Sequence, residues 1–129
     1  MAKHRLAIVI QDGAFERVHY ALVLASSAAA IDRPVTLFFT MQACRALRPP
    51  EALGPWAAGE AELEAKGLAR FETLLGACAE LGVDLLVCEM GLRAVDMTES
   101  DLRDDIAIRQ TGAVTFLNEA GEDAQMLFG

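Results

Sequence analysis

The chain has no run of positive charge, no long apolar stretch and no closely spaced cysteine pair. Eleven Lys and Arg stand against 19 Asp and Glu, a formal charge of -8, and the densest basic cluster is the triplet Lys3-His4-Arg5. Such a surface repels a phosphate backbone on average, so nucleic acid is not an expected partner. The longest weakly polar stretch, Ala21 to Ile31, is too short to cross a bilayer and contains Ser26 and Ser27, so no membrane partner is expected. The N-terminal MAKHRLAIVIQD passes from the basic triplet through five apolar residues to Asp12. It lacks the longer apolar core and small-residue cleavage site of an export signal, and the expected location is cytoplasmic.

The three cysteines, Cys44, Cys78 and Cys88, are odd in number and form no C-x-x-C, which argues against a disulfide framework. The two histidines, His4 and His19, lie far from any cysteine in sequence, so no metal site is expected and no Ser/His/Asp arrangement can be drawn. G-x-G-x-x-G and G-x-x-x-x-G-K-[ST] are both absent. Standard dinucleotide and ATP sites are therefore unsupported, and no cofactor is expected.

What remains is apolar. A length of 129 residues fits one domain, taken as residues 1–129, and a hydrophobic share of 53% is ample for a core. That share is high for a small monomer, as when other subunits cover apolar surface or a sheet is buried on both faces.

Leu6 to Ile10 is a continuous apolar run of strand character, stopped at Asp12-Gly13. From Ala14 to Ile31, Phe15, Val18, Leu22, Ala25 and Ala29 recur at helical steps. Asp32-Arg33-Pro34 ends that helix, and Val35 to Thr40 supplies a second strand rich in aromatic and β-branched residues. Met41 to Leu47 reads as one or two helical turns within a long irregular excursion to Gly59 that carries the only tryptophan, Trp56. The pattern then predicts a helix over Glu60–Leu81 with Gly82 as its cap, a third strand over Val83–Cys88, and a short helix or turn over Glu89–Met97. Thr98 or Ser100 can cap a further turn. Gly112–Leu117 reads as a fourth strand, Asn118–Ala124 as a brief polar helix or turn, and Gln125–Phe128 as a fifth strand. The alternation predicts a three-layer α/β/α domain with a mainly parallel sheet of about five strands.

In open sheets of this kind, chemistry collects beyond the carboxyl ends of the strands. The candidates are then Gln11, Asp12, Gly13, Thr40, Met41, Gln42, Cys88, Glu89, Met90 and Asn118. Cys88 ends a strand just before a helical turn, where backbone N–H groups favour the thiolate; Glu89 opposes this. The plain alternative is an inert core thiol. Cys78 falls on the apolar face of a helix and reads as a small buried hydrophobe. Cys44 follows the second strand, at the same sheet edge as Cys88, where receiving sulfur is its less favoured role. Asp12 reads both as a helix cap and as a polar wall beside Cys88. Met41, Met90 and Met97 suit an adaptable apolar pocket or ordinary core filling.

These segments resemble the DsrE/DsrF-like group of small sulfur-relay proteins over nearly the whole chain. The resemblance is carried by Leu6 to Gly13 with its Ala-rich helix, Val35 to Thr40, Gly82 to Leu92, and Gly112 to Leu117. Its most specific piece is the strand-terminal Cys88 followed by Met90. The resemblance implies a homo-oligomer, commonly a trimer or hexamer, and a cysteine that carries sulfane sulfur as a persulfide between donor and acceptor proteins. Cys88 alone inherits that role; Asp12, Gly13, Thr40, Gln42, Glu89 and Met90 are the expected pocket. The rival expectations are a non-catalytic assembly module and a small-ligand-binding regulator on the same fold.

Overall fold

A computed structural model describes residues 3–129; Met1 and Ala2, which open the N-terminal stretch weighed above against export, lie outside the described residues. Five strands, β1 (Leu6–Ile10), β2 (Val35–Phe39), β3 (Asp84–Cys88), β4 (Arg109–Thr111) and β5 (Gln125–Phe128), form one sheet in the order β4-β3-β2-β1-β5. Every pairing is parallel. Parallel neighbours require crossovers, and the helices α1 (Phe15–Ala30), α2 (Gly59–Ala65), α3 (Phe71–Glu80), α4 (Glu89–Ala94) and α5 (Ala113–Ala120) lie within these connections. The result is the expected three-layer α/β/α arrangement.

Side-chain alternation along the strands sorts the core into two faces. Leu6, Ile8, Ile10, Val35, Leu37, Phe39, Leu85 and Val87 point to one, where α1 contributes Val18, Leu22 and Ala25 and α3 contributes Phe71, Leu75 and Cys78. Ala7, Val9, Phe38, Leu86 and Cys88 point to the other, where α5 contributes Phe116 and Ala120. Phe116 lies flat on Phe38, with ring centroids 4.4 Å apart and planes at 4°.

Two expected elements differ. The helix predicted over Glu60–Leu81 is two helices. Leu68 N–H reaches back to Leu63 O at 2.9 Å and Gly67 N–H to Glu64 O at 3.0 Å, the paired bonds that close a helix. Leu68 is consequently exposed instead of sharing the apolar face. The second helix starts where the Glu60 carboxylate accepts the Phe71 and Glu72 backbone N–H groups at 2.6 and 3.2 Å.

The strand predicted over Gly112–Leu117 is instead the start of α5, and β4 precedes it as the polar Arg109-Gln110-Thr111. A six-residue apolar run suits a buried strand and a buried helix equally. The chain must cross from β4 at one edge to β5 at the other, and a helix makes that crossing. Phe116 and Ala120, one turn apart, are buried, whereas Val114, which a strand would align with Phe116, is 83% exposed. The excursion from Met41 to Gly59 consists of three 3-10 segments, Met41–Leu47, Pro50–Ala52 and Gly54–Ala58. It buries Ala43, Cys44, Ala46, Leu47 and Leu53 against the face covered by α1 and α3.

Candidate functional site

Cys88 is both the last residue of β3 and the N-cap of α4. Its Sγ accepts the Gly91 backbone N–H at 3.4 Å, so an otherwise unpaired donor of the first helical turn points at the sulfur. The contact holds the sulfur at the start of α4, at the carboxyl edge of the sheet. Gly91 matters twice. A Cβ there would sit 2.5 Å from Met41 N and 2.6 Å from Thr40 Oγ1, so only glycine lets α4 press this closely on the end of β2. The sulfur is also well covered: Cys88 is 3% exposed. On its own face it neighbours Thr111, its register partner on β4, which is itself buried.

The other thiols sit in different surroundings. Burial pushes the Cys44 thiol up to about 12, with the nearby Cys88 adding to the rise and a backbone hydrogen bond opposing it. Burial pushes Cys78 up to about 11. Both are protonated at neutral pH and poor nucleophiles. Cys44 belongs to the α1–α3 side of the sheet and Cys88 to the α5 side.

The remaining expected site residues divide into groups. Asp12, Gly13 and Gln42 come together around a hollow of about 310 Å³, joined by Ala14, Arg45 and Trp56. Asp12 is not the cap of α1, whose N-cap is Ala14 without a side-chain cap; its Oδ1 accepts the Ala14 N–H at 2.9 Å in the turn before the helix, and its other oxygen lies 3.4 Å from Arg17 Nε. Gly13 passes so close to Gln42 that an added Cβ would stand 2.6 Å from the Gln42 carbonyl oxygen. Trp56 Nε1 donates to Gly13 O at 2.6 Å while its ring meets Phe15 and Phe71 edge-on at 5.0 and 5.1 Å. Thr40 packs against Gly91, whose N–H reaches Cys88, whereas Glu89 and Met90 are turned to solvent, Met90 being 65% exposed. Asn118 lies within α5 and not at a strand end, because the strand expected before it does not exist.

Gly91, Thr111 and Arg45 are not expected from sequence as site residues, and Trp56 stands out there only as the sole tryptophan. Gly91 had a usable signal, standing three residues after a cysteine at a strand-to-helix junction. Thr111 had none, since β4 is too short and polar to announce itself. Among the described residues no group of three or more His, Cys, Asp or Glu is placed to hold a metal, and no helix is long and apolar enough to cross a membrane.

A small all-parallel α/β domain with a capping thiol at the carboxyl edge of its sheet is the class of protein defined by this fold and site. The profile of the DsrE/DsrF-like family matches residues 4–127, and the chain belongs to that family. No curated protein matches the chain. Among solved structures, it is similar to a protein of unknown function, MTH1491 from Methanobacterium thermoautotrophicum, with TM-score 0.64 and 16% identity over 98% of this chain and 100% of that one. It is also similar to the ychN protein from E. coli, with TM-score 0.63 and 14% identity over the full length of both chains. At such identities these likenesses speak to the fold.

Proposed function

We propose that this protein is a thiol-based sulfur carrier, a sulfurtransferase in the broad sense. The Cys88 thiolate attacks the outer sulfur of a donor persulfide; a new S–S bond forms on Cys88 and the donor leaves as a thiolate. An acceptor thiolate then attacks the outer sulfur, and Cys88 departs as the thiolate it began as. Sulfane sulfur moves without net oxidation, and no metal or organic cofactor takes part. The observation that carries this reading is the Gly91 N–H aimed at the Cys88 sulfur at 3.4 Å, on a family scaffold generally associated with sulfur relay. Asp12, Gly13, Gln42 and Thr40 form the adjoining edge where a donor or acceptor protein docks, and exposed Met90 and Glu89 flank it.

The reading includes a cytoplasmic location, in keeping with three free thiols, and self-association as a trimer or hexamer. Support for the latter is exposed apolar surface on the edge strand β5, where Met126 and Phe128 are 44% and 72% exposed.

Mass spectrometry of the folded protein after incubation with a low-molecular-weight persulfide tests the carrier. A gain of about 32 Da, one sulfur atom, that disappears in Cys88→Ser is expected. No gain, or a gain that survives in Cys88→Ser, overturns the assignment. A second reading, a non-catalytic assembly module, draws on the 3% exposure of Cys88, and absence of sulfur uptake from an oligomeric protein would favour it.

A further inference from the structure

Cys88 is almost fully buried, on the face of the sheet to which α5 contributes Phe116 and Ala120. Its register partner Thr111 ends β4, and α5 begins two residues later. The first turn of that helix follows directly on the strand that pairs with Cys88, and Phe116 at the close of the turn shares the Cys88 cluster. Little else holds the turn down. Ala113, Val114 and Thr115 are exposed. Gly112 is the N-cap with extended backbone (φ −101°, ψ 170°), and its position provides no side-chain cap for the N–H groups that follow. What anchors the turn is the Phe116 ring on Phe38 and, one turn further, the Glu119 carboxylate on Arg109 at 2.7 Å. Segments with few buried contacts open locally at a free energy far below that of global unfolding.

We propose that the first turn of α5, Gly112 to Phe116, is a gate over Cys88 that opens by local fraying and closes by seating Phe116 on Phe38. This rests on the reading of Cys88 as the sulfur-carrying thiol and supplies what that reading lacks, a route to a sulfur that is almost fully covered. Opening this turn uncovers one thiol only. Cys78 lies on α3, its Sγ 4.0 Å from Leu22 O on α1, and Cys44 is a buried residue of the 3-10 segment after β2. The fold thus separates a thiol reached through one short turn from two reached only by dismantling the larger core.

Alkylation of the full chain with iodoacetamide, followed by peptide mass spectrometry, reads the rate at each cysteine, with Cys78 as the internal gauge of global opening. Ala113→Gly removes only helix propensity at an exposed position. It is expected to raise the Cys88 rate about twofold, less than the full helix-interior worth of an alanine-to-glycine change because Ala113 is the first helical position, with the Cys78 rate unchanged. Gly112→Asp adds a cap where an added Cβ meets nothing within 4 Å; it is expected to slow Cys88 about twofold. Cys88 and Cys78 rates that move together in both variants, or a Cys88 rate indifferent to Ala113→Gly, overturn the gate. Alkylation needs no sulfur donor, so it fails independently of the carrier. Sulfur uptake with no response to Ala113→Gly removes the gate alone, and a responsive Cys88 that takes up no sulfur removes the carrier alone.

Discussion

The two faces of the sheet are built to different standards. One carries α1, α3 and the 3-10 excursion, with an aromatic cluster of Phe15, Trp56 and Phe71 and with Phe71 wholly buried. The other carries, among the described residues, the eight-residue α5 and a cluster of seven buried side chains. Parallel sheets are ordinarily buried on both sides, so the second face is underdressed for its type. The candidate thiol lies on this poorer face while both inert thiols lie on the richer one. Stability is concentrated on one side of the sheet, and that leaves the other free to move or to receive another protein.

The sharpest way to break this comparison is to remove one large aromatic from each face. Phe71→Ala is expected to cost about 4 kcal/mol, since a ring held between Phe15 and Trp56 leaves a cavity the packed layer cannot collapse into. Phe116→Ala is expected to cost about 2 kcal/mol, because its helix can settle or admit water. Urea unfolding followed by circular dichroism measures both. Equal costs would mean that the second face is as firmly built as the first.

A clamp at the margin of the richer face should give the next largest effect. Arg103 is 6% exposed and forks to two carboxylates, with Nη2 at 2.7 Å from Glu72 and Nε at 2.8 Å from Asp105, while its backbone N–H donates to Leu47 O at 2.9 Å. It ties the loop before β4 to α3 and to the 3-10 excursion. Arg103→Ala strands the half-buried Glu72 charge and is expected to cost about 3 kcal/mol in the same unfolding measurement. A loss under about 1 kcal/mol would put this clamp in the range of surface pairs.

The richer face is also the one that could be read from sequence. Leu6–Ile10 is a continuous apolar strand, Val35–Phe39 is apolar but for the buried Thr36, and α1 keeps its helical spacing from Phe15 to Ala28, because burial on a thick layer demands a sustained pattern. Legibility failed where burial is partial. Arg109-Gln110-Thr111 pairs on one side only and spends its arginine on Asp84 and Glu119, so it carries no strand signal. The apolar run that follows has the pattern of a buried strand, yet it folds as the start of α5. At the site, a strand-terminal cysteine was recognisable; its partners were less so, because a backbone N–H from Gly91 and a register neighbour such as Thr111 depend on where the chain folds.

The smallest expected effect is electrostatic and belongs to the poorer face. Arg109 bridges Asp84 on β3 and Glu119 on α5, with Nη2 2.8 and 2.7 Å from the two carboxylates. Its hydrogen bond and charge, with a lesser pull from Arg5, hold Glu119 below its ordinary 4.5. A carboxyl depressed by folding stabilises the folded state above its ordinary value, and that support is lost as pH falls through the lower folded value. Amide hydrogen exchange, corrected for the intrinsic pH dependence, should show α5 protection constant from pH 7 to about 5 and falling below pH 4.5, with α1 less affected over the same step. Glu119→Gln should resemble the acid form already at pH 7 and converge with the unsubstituted protein in acid. Asp105, held below its ordinary 3.8 chiefly by Arg103, acts with the same sign on the clamp and in a lower window. If α5 and α1 lose protection together, with Glu119→Gln indistinguishable from the unsubstituted protein at pH 7, the Arg109 bridge does not hold this helix and the seating of Phe116 is its sole restraint.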